Sequence, residues 1–272
     1  MGVSGGSAES YIVGGHLSRS NHPIVRRAPQ IFYGSAFPNN KGRVWEGCEL
    51  RGALVQVYQG ASDFFLGPTE DLKAVEGLDL DFEVELAVIT DAVPLGVSVV
   101  DAGNYIKVLT ACNDFTYRKL AATDRKSGFG FVQSKALTSF CAFGLLPSTS
   151  TEMWNGGRPI LGARVTLNGE VFCEISTLDM LSSFPEIVAY CAKTRDLPAG
   201  TVITSGAIST NGQGDSCIAE KKYRLRMNCD TCNVDFLQVE DVVKIEFFAL
   251  DRAGKFQSDS LFGPLENRVI TR

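Results

Sequence analysis

Apolar residues recur along this chain mostly with a period of two, in short runs closed by turn residues, which is the pattern of β-strands. The runs predict strands over Ala53–Tyr58, Phe82–Thr90, Lys107–Cys112, Arg164–Leu167, Val171–Ile175, Thr201–Ser205, Lys222–Met227 and Val242–Leu250. Asn168-Gly169 joins two of them and reads as a tight hairpin, because both residues tolerate positive φ. One segment has the other period. Phe184, Ile187, Val188 and Cys191 fall at i, i+3, i+4 and i+7, and Ser183-Phe184-Pro185-Glu186 supplies a capping box with proline in the first turn. This predicts a helix that ends before Asp196-Leu197-Pro198-Ala199-Gly200. A second short helix is expected near Phe115–Ala121. With no repeat and no linker, the pattern gives one α+β domain that is mostly β.

Composition narrows the class only a little. The chain has 272 residues, 44% of them hydrophobic and 21% charged, which is ordinary for a globular protein. No apolar run reaches the 18 or so residues of a membrane span. The net charge of −5 argues against nucleic acid as the main partner. The first residues are rich in Gly and Ser and lack the basic and apolar regions of a secretory signal. We read 1–26 as a flexible lead-in and 27–272 as the domain. Cys112, Cys141 and Cys191 sit in apolar runs, as reduced thiols of a cytoplasmic protein would. Cys229-Asp230-Thr231-Cys232 has CxxC spacing but lacks the second ligand pair of a zinc site, so a chance pair in a loop is the simpler reading.

The strand at 82–90 carries the candidate chemistry. Residues two apart on a strand face the same way, so Glu83 and Glu85 stand side by side, about 7 Å apart along the backbone. Two readings are open. The pair lies on the wet face of an edge strand, or it holds a hard cation that offsets the cost of burying charge. Asp114 follows the apolar strand ending at Cys112 and offers a third oxygen ligand, or else caps the next turn. Glu83, Glu85 and Asp114 together suit Mg²⁺, Mn²⁺ or Ca²⁺ and not a soft metal. Lys135 ends the glycine-bearing run from Gly128 and could stabilise a developing oxyanion.

Taken together these segments resemble the fumarylacetoacetate hydrolase family, from about Arg27 to Val269. The matching pieces are Tyr58-Gln59-Gly60-Ala61-Ser62-Asp63, Asp81-Phe82-Glu83-Val84-Glu85, Asn113-Asp114-Phe115-Thr116-Tyr117-Arg118 and Gln133-Ser134-Lys135. Further along come Leu197-Pro198-Ala199-Gly200-Thr201 and Leu265-Glu266-Asn267-Arg268-Val269. The resemblance implies a mixed β-roll or β-sandwich with a few short helices, and a homodimer. It implies Mg²⁺ (or Ca²⁺ or Mn²⁺) on Glu83, Glu85 and Asp114, with Lys135 beside the substrate oxygens. It also implies a small dioxo or oxo acid substrate, as in aromatic amino acid catabolism, touched by Arg118, Gln133, Ser205, Gly206 and Ala207. The activity implied is hydrolysis of a C–C bond, with decarboxylation or tautomerisation of a 2-oxo acid as the alternative.

Three positions depart from the family pattern. Tyr33 stands where the family has an aspartate. Asn40 stands where it has a catalytic histidine, and an amide is no base near neutral pH. Ala207 replaces a hydroxyl residue. Glu220 corresponds to the glutamate that pairs with the lost histidine. The chain's two histidines, His16 and His22, lie in the N-terminal segment, and His22 could reach the site from a lid. These losses weigh against hydrolysis, which needs an activated water, more than against enolate chemistry. They also leave open a member that has lost catalysis.

Overall fold

Two mixed sheets form from the alternating runs. A computed structural model describes residues 22–37, 55–128, 130–135, 137–147, 153–210, 215–228 and 234–272. Its strands are β1 (Ile31–Gly34), β2 (Val57–Gln59), β3 (Leu72–Ala74), β4 (Leu80–Asp81), β5 (Val84–Thr90), β6 (Ile106–Tyr117), β7 (Leu137–Phe140), β8 (Trp154–Asn155), β9 (Arg158–Pro159), β10 (Leu161–Leu167), β11 (Glu170–Ser176), β12 (Val202–Thr204), β13 (Val242–Leu250), β14 (Phe256–Ser260) and β15 (Leu265–Thr271). Its α-helices are α1 (Val99–Ala102), α2 (Arg118–Ser127), α3 (Phe184–Cys191) and α4 (Ile218–Asn228). The first sheet runs β2-β1-β12-β5-β6, with β4 and β7 also on β6. The second runs β11-β10-β13-β15-β3, with β14 on β13. This is the mostly-β α+β architecture that the sequence predicts.

Strand β5 is buried from end to end, and the reason is visible in its pairing. Val84, Leu86 and Val88 face one apolar cluster, which also takes Leu161, Val165, Val243 and Ile245 from the second sheet. Ala87 and Ile89 face a second cluster with Ile31, Tyr33, Phe65, Val108, Cys112 and Phe140. A strand covered on both faces needs apolar residues at successive positions. That explains why the run reads as nearly continuous. It also means that Glu85, on the face of Ala87 and Ile89, is buried and not on a wet edge.

Two predicted local structures stand as expected. Asn168 and Gly169 have φ of 52° and 86°, the positive pair a two-residue hairpin requires, and they join β10 to β11. Helix α3 carries both halves of the capping box. The Ser183 hydroxyl accepts the Glu186 amide, and the Glu186 carboxylate accepts the Ser183 amide at 2.6 Å. Phe184, Ile187, Val188 and Cys191 are all buried, as their spacing predicts. Ser183→Ala should lower stability by about 1 kcal/mol. Thermal denaturation checks this, and an unshifted midpoint would show that the cap contributes nothing.

Other expectations need correction. Lys222–Met227 is not a strand but part of α4. Its alternating Lys222, Tyr223, Arg224, Leu225 mimics period two, but the start of the helix is fixed from far away. Buried Asp81 accepts the amides of Ile218 at 2.8 Å and Ala219 at 2.9 Å. Strand β6 runs on through Tyr117, so Asp114 lies inside a strand, and the second helix begins only at Arg118. The continuation is set by pairing with β4 and β7, which local pattern does not show. The CxxC pair, Cys48, His16 and Asn40 lie outside the described residues.

Candidate functional site

Register alone brings the acidic residues together. In the β5–β6 pair, Glu85 lies opposite Cys112 and Val84 opposite Asn113. The next step places Glu83 against Asp114, and the Asp114 amide donates to the Glu83 carbonyl at 3.0 Å. Residues opposite or two apart share a face. One face of the first sheet therefore carries Tyr58, Tyr33, Thr204, Glu85, Glu83, Asp114, Thr116 and Thr138 on six adjacent strands or their ends. Between β4 and β5 the ladder is interrupted. There the Asn113 side chain accepts the Glu83 amide at 3.1 Å and the Asp81 side chain accepts the Phe82 amide at 2.9 Å.

One carboxylate oxygen each from Glu83, Glu85 and Asp114 lies within 4.8 Å of the others. Lys135, on the loop before β7, points its ammonium among them. It contacts Glu83 Oε2 at 2.5 Å, Asp114 Oδ2 at 2.7 Å and Thr116 Oγ1 at 2.7 Å. Arg118 lies on the far side of Glu83. Its Nη1 donates to Glu83 Oε1 at 2.7 Å, and its Nε donates to Asp81 Oδ2 at 2.7 Å. Four buried or nearly buried carboxylates thus face two cations.

The charge states follow from this packing. Burial alone would raise the Glu83 carboxyl, but Lys135 and then Arg118 overcome it and hold the group well below the usual range. Glu85 contacts neither cation directly. Burial first, then Asp114 and Glu83, push its carboxyl well up, and Lys135 and the Thr204 hydroxyl lower it only in part. Asp114 is raised by burial against the pull of Lys135. Burial would discharge Lys135, yet Asp114, Glu83 and Glu85 keep it firmly an ammonium.

The donor set fits a divalent cation. Hard oxygen ligands converge, the excess charge is negative, and Glu85 Oε2 is a fully buried atom without a hydrogen-bond partner among the described residues. An unpaired buried carboxylate oxygen costs free energy that a cation would recover.

An aromatic wall flanks the cluster. Tyr33 and Tyr58 stack with centroids 5.0 Å apart, and Phe131 meets Tyr58 edge-on at 4.7 Å. The Tyr58 hydroxyl donates to Asp114 Oδ2 at 3.2 Å. The Tyr33 hydroxyl bonds Thr138 Oγ1 at 2.5 Å, and that hydroxyl donates to Asp114 Oδ1 at 3.2 Å. Tyr33 thus reaches Asp114 through Thr138, where an aspartate would have added a fifth carboxyl group to the cluster. Burial first and Asp114 second raise both phenols well above their usual value, so they act as donors and not as bases. Gly60 makes the stacking possible, because a Cβ there would sit 2.3 Å from the Tyr33 ring.

The remaining expected residues are placed as follows. Ser205-Gly206-Ala207 runs beside β5: the Ser205 amide donates to the Leu86 carbonyl at 2.8 Å and the Ile208 amide to the Val84 carbonyl at 2.9 Å. Gln133 is exposed, two residues before Lys135. Arg118 meets the carboxylates of Asp81 and Glu83. His22 lies near Glu70, whose main partner is Arg26. Glu220 is buried on α4, and its carboxylate accepts the Ser216 amide at 3.0 Å. Burial lifts its carboxyl to about 8, against the opposing Ser216 bond. Sequence reasoning gave no site role to Asp81, Thr116, Thr138 or Tyr58. The alternation Asp81, Glu83, Glu85 held a signal for the first of these.

Comparison with known proteins identifies the family. The pattern of the fumarylacetoacetate (FAA) hydrolase C-terminal family matches residues 43–270. Oxaloacetate tautomerase YisK of Bacillus subtilis is 31% identical over 135 residues, covering 50% of this chain and 43% of that protein. Oxaloacetate tautomerase FAHD1, mitochondrial, of Bos taurus is 27% identical over 135 residues, covering 47% and 57%. The chain spans about half the length of the curated relatives it matches. The fumarylacetoacetate hydrolase of the psychrophile Exiguobacterium antarcticum shares the fold, with a TM-score of 0.63 at 18% identity over 90% of this chain and 76% of that one. The match over most of the chain settles its membership: it belongs to the fumarylacetoacetate hydrolase family.

Proposed function

We propose that Glu83, Glu85 and Asp114 hold a divalent cation, Mg²⁺ with Mn²⁺ or Ca²⁺ as alternatives, and that the protein enolises a small 2-oxo or 1,3-dioxo acid there. The observation that carries this reading is the convergence of one carboxylate oxygen from each of Glu83, Glu85 and Asp114, together with a buried Glu85 Oε2 that has no hydrogen-bond partner among the described residues. A bound divalent cation would supply Lewis acidity toward paired substrate oxygens. Lys135, charged and nearly buried, offers an ammonium to an enolate oxygen. Glu220 is the proton carrier in this reading. A carboxyl lifted to about 8 is available in both protonation states near neutral to mildly basic pH, which general acid–base transfer favours. Arg118 holds Glu83 in place, and Ser205-Gly206-Ala207 together with Gln133 would contact the substrate.

Tautomerisation or decarboxylation is favoured over C–C hydrolysis. Asn40 stands where the family has its water-activating histidine, and two relatives bear the name oxaloacetate tautomerase. The hydrolytic reading keeps one support: Glu220 is basic enough to take a proton from water. In this proposal the domain is 27–272 and the protein is a homodimer.

A panel of oxaloacetate, acylpyruvates and fumarylacetoacetate, each with Mg²⁺ or Mn²⁺, tests the function. Enol–keto conversion of oxaloacetate is the expected result, and turnover of none of them would point to a non-catalytic member. Calorimetry with Mg²⁺ tests the ligands separately. Glu83→Gln should weaken uptake by about tenfold or more, and unchanged affinity would remove the assignment.

A further inference from the structure

One fully buried carboxylate near the site has no part in the proposal above. The Asp81 side chain bonds the residue that follows it and two separate helices, α4 and α2. Its Oδ1 accepts the Phe82 amide at 2.9 Å and the Ile218 amide at 2.8 Å. Its Oδ2 accepts the Ala219 amide at 2.9 Å and pairs with Arg118 at 2.7 Å. Ile218 and Ala219 open α4, whose first turn also holds Glu220. The free amides at a helix start attract an anion, and here the anion comes from another part of the chain. On its other side, Arg118 forks from Asp81 to Glu83 Oε1. A planar guanidinium holds two carboxylates in a fixed relation, which a flexible lysine would not do. The Val84 amide donates to the Ser216 carbonyl at 3.2 Å, so backbone contact runs beside the same path.

We propose that Asp81 is a positioning residue that, through Arg118, links the candidate cation ligand Glu83 to the helix carrying Glu220. The link sets the distance between cation and proton carrier. It also makes them interdependent: fixing Glu83 fixes Arg118 and Asp81, and so the first turn of α4. Coupling between two sites is reciprocal, so loosening α4 should weaken cation uptake by the same factor. A carboxylate that served only as a helix cap would steady α4 whether or not the cation site was filled.

The inference rests on the cation reading, and hydrogen exchange with and without Mg²⁺ separates the two. In the full chain, saturating Mg²⁺ should slow exchange of the Ile218 and Ala219 amides by about fivefold or more. In Arg118→Gln the slowing should vanish while calorimetry still records Mg²⁺ uptake, because the Asp81 bonds to the α4 amides remain while the ion-pair bridge from Asp81 to Glu83 is lost. Asp81→Asn should lose the slowing too, with faster exchange of those amides even without Mg²⁺; it serves as the second variant if Arg118→Gln does not fold. Slowing that persists in either variant overturns the link, as does Mg²⁺ uptake by the wild-type chain with no slowing. If neither Mg²⁺ nor Mn²⁺ is taken up by the wild-type chain, the cation reading itself falls, and the link with it.

Discussion

Lys135→Met should cost the cation-free protein about 3–5 kcal/mol of stability, the usual penalty for removing one partner of a buried ion pair. The reason lies in what remains. Glu83 keeps Arg118, and Asp114 keeps Tyr58 and Thr138, but Glu85 keeps neither a cation nor a partner for Oε2. Lys135 is the only ammonium contacting both Glu83 and Asp114 among the described residues. Once it is gone, a divalent cation meets less repulsion at the triad. Mg²⁺ should therefore bind the variant more tightly than the wild type and restore part of the loss, about 2.7 kcal/mol at a hundredfold excess over Kd. Activity should move the other way and fall by roughly 10²–10³, the usual cost of one lost oxyanion partner. Tighter cation binding with weaker turnover separates a lysine that stabilises charge on the substrate from one that only fills space. Thermal denaturation with and without Mg²⁺, beside oxaloacetate turnover, makes the comparison. Equal stability of the two cation-free proteins would sink the account.

The site was legible in the sequence where it depends on strand geometry. Glu83 and Glu85 share a face because of period two, and that holds wherever the strand lies. Their burial was not legible, because it depends on which sheets cover β5. Asp114 was found as a ligand candidate but misplaced at a strand end. Its side-chain direction comes from pairing with β4 and β7, which are distant in sequence or too short to show a pattern.

Helix α4 shows a different limit. Tyr223 and Leu225 alternate with charged neighbours, and the local pattern alone chose a strand. The decisive contact is the Asp81 carboxylate at its first amides, 137 residues away from Ile218. Helix α3, whose cap lies three residues inside its own sequence, was placed without difficulty. The same contrast governs Tyr33. Its identity marked a departure from the family, but only the fold shows that it reaches Asp114 through Thr138 and stacks on Tyr58. If the triad holds a divalent cation as proposed, a neutral donor at Tyr33 leaves three carboxylates to balance it.

Glu220→Gln should leave the protein more stable than the wild type at pH 9, while activity falls by roughly 10²–10⁴. The sign follows from linkage. In the folded protein the Glu220 carboxyl titrates at about 8 instead of 4.5, chiefly because it is buried. Between those values the folded state holds a proton that the unfolded chain has released. Stability contributed by this group therefore falls as pH rises through that window, by about 1.4 kcal/mol per unit at its steepest. Below about pH 4.5 both states are protonated and the group is neutral in its effect. Above about 8 both are ionised, and the folded state carries a buried charge. Glutamine is neutral throughout, and its side-chain carbonyl can still accept the Ser216 amide that now bonds the carboxylate. Urea unfolding of the cation-free proteins at pH 5 and pH 9 should give similar values at the lower pH and a gap of several kcal/mol in favour of the variant at the higher. Parallel pH dependence in the two proteins would show that Glu220 is not held in its neutral form. A variant that gains stability only where the carboxylate would be ionised, and loses turnover, is what a strained proton carrier predicts. A buried glutamate kept for packing alone would show the stability gain without the loss of activity.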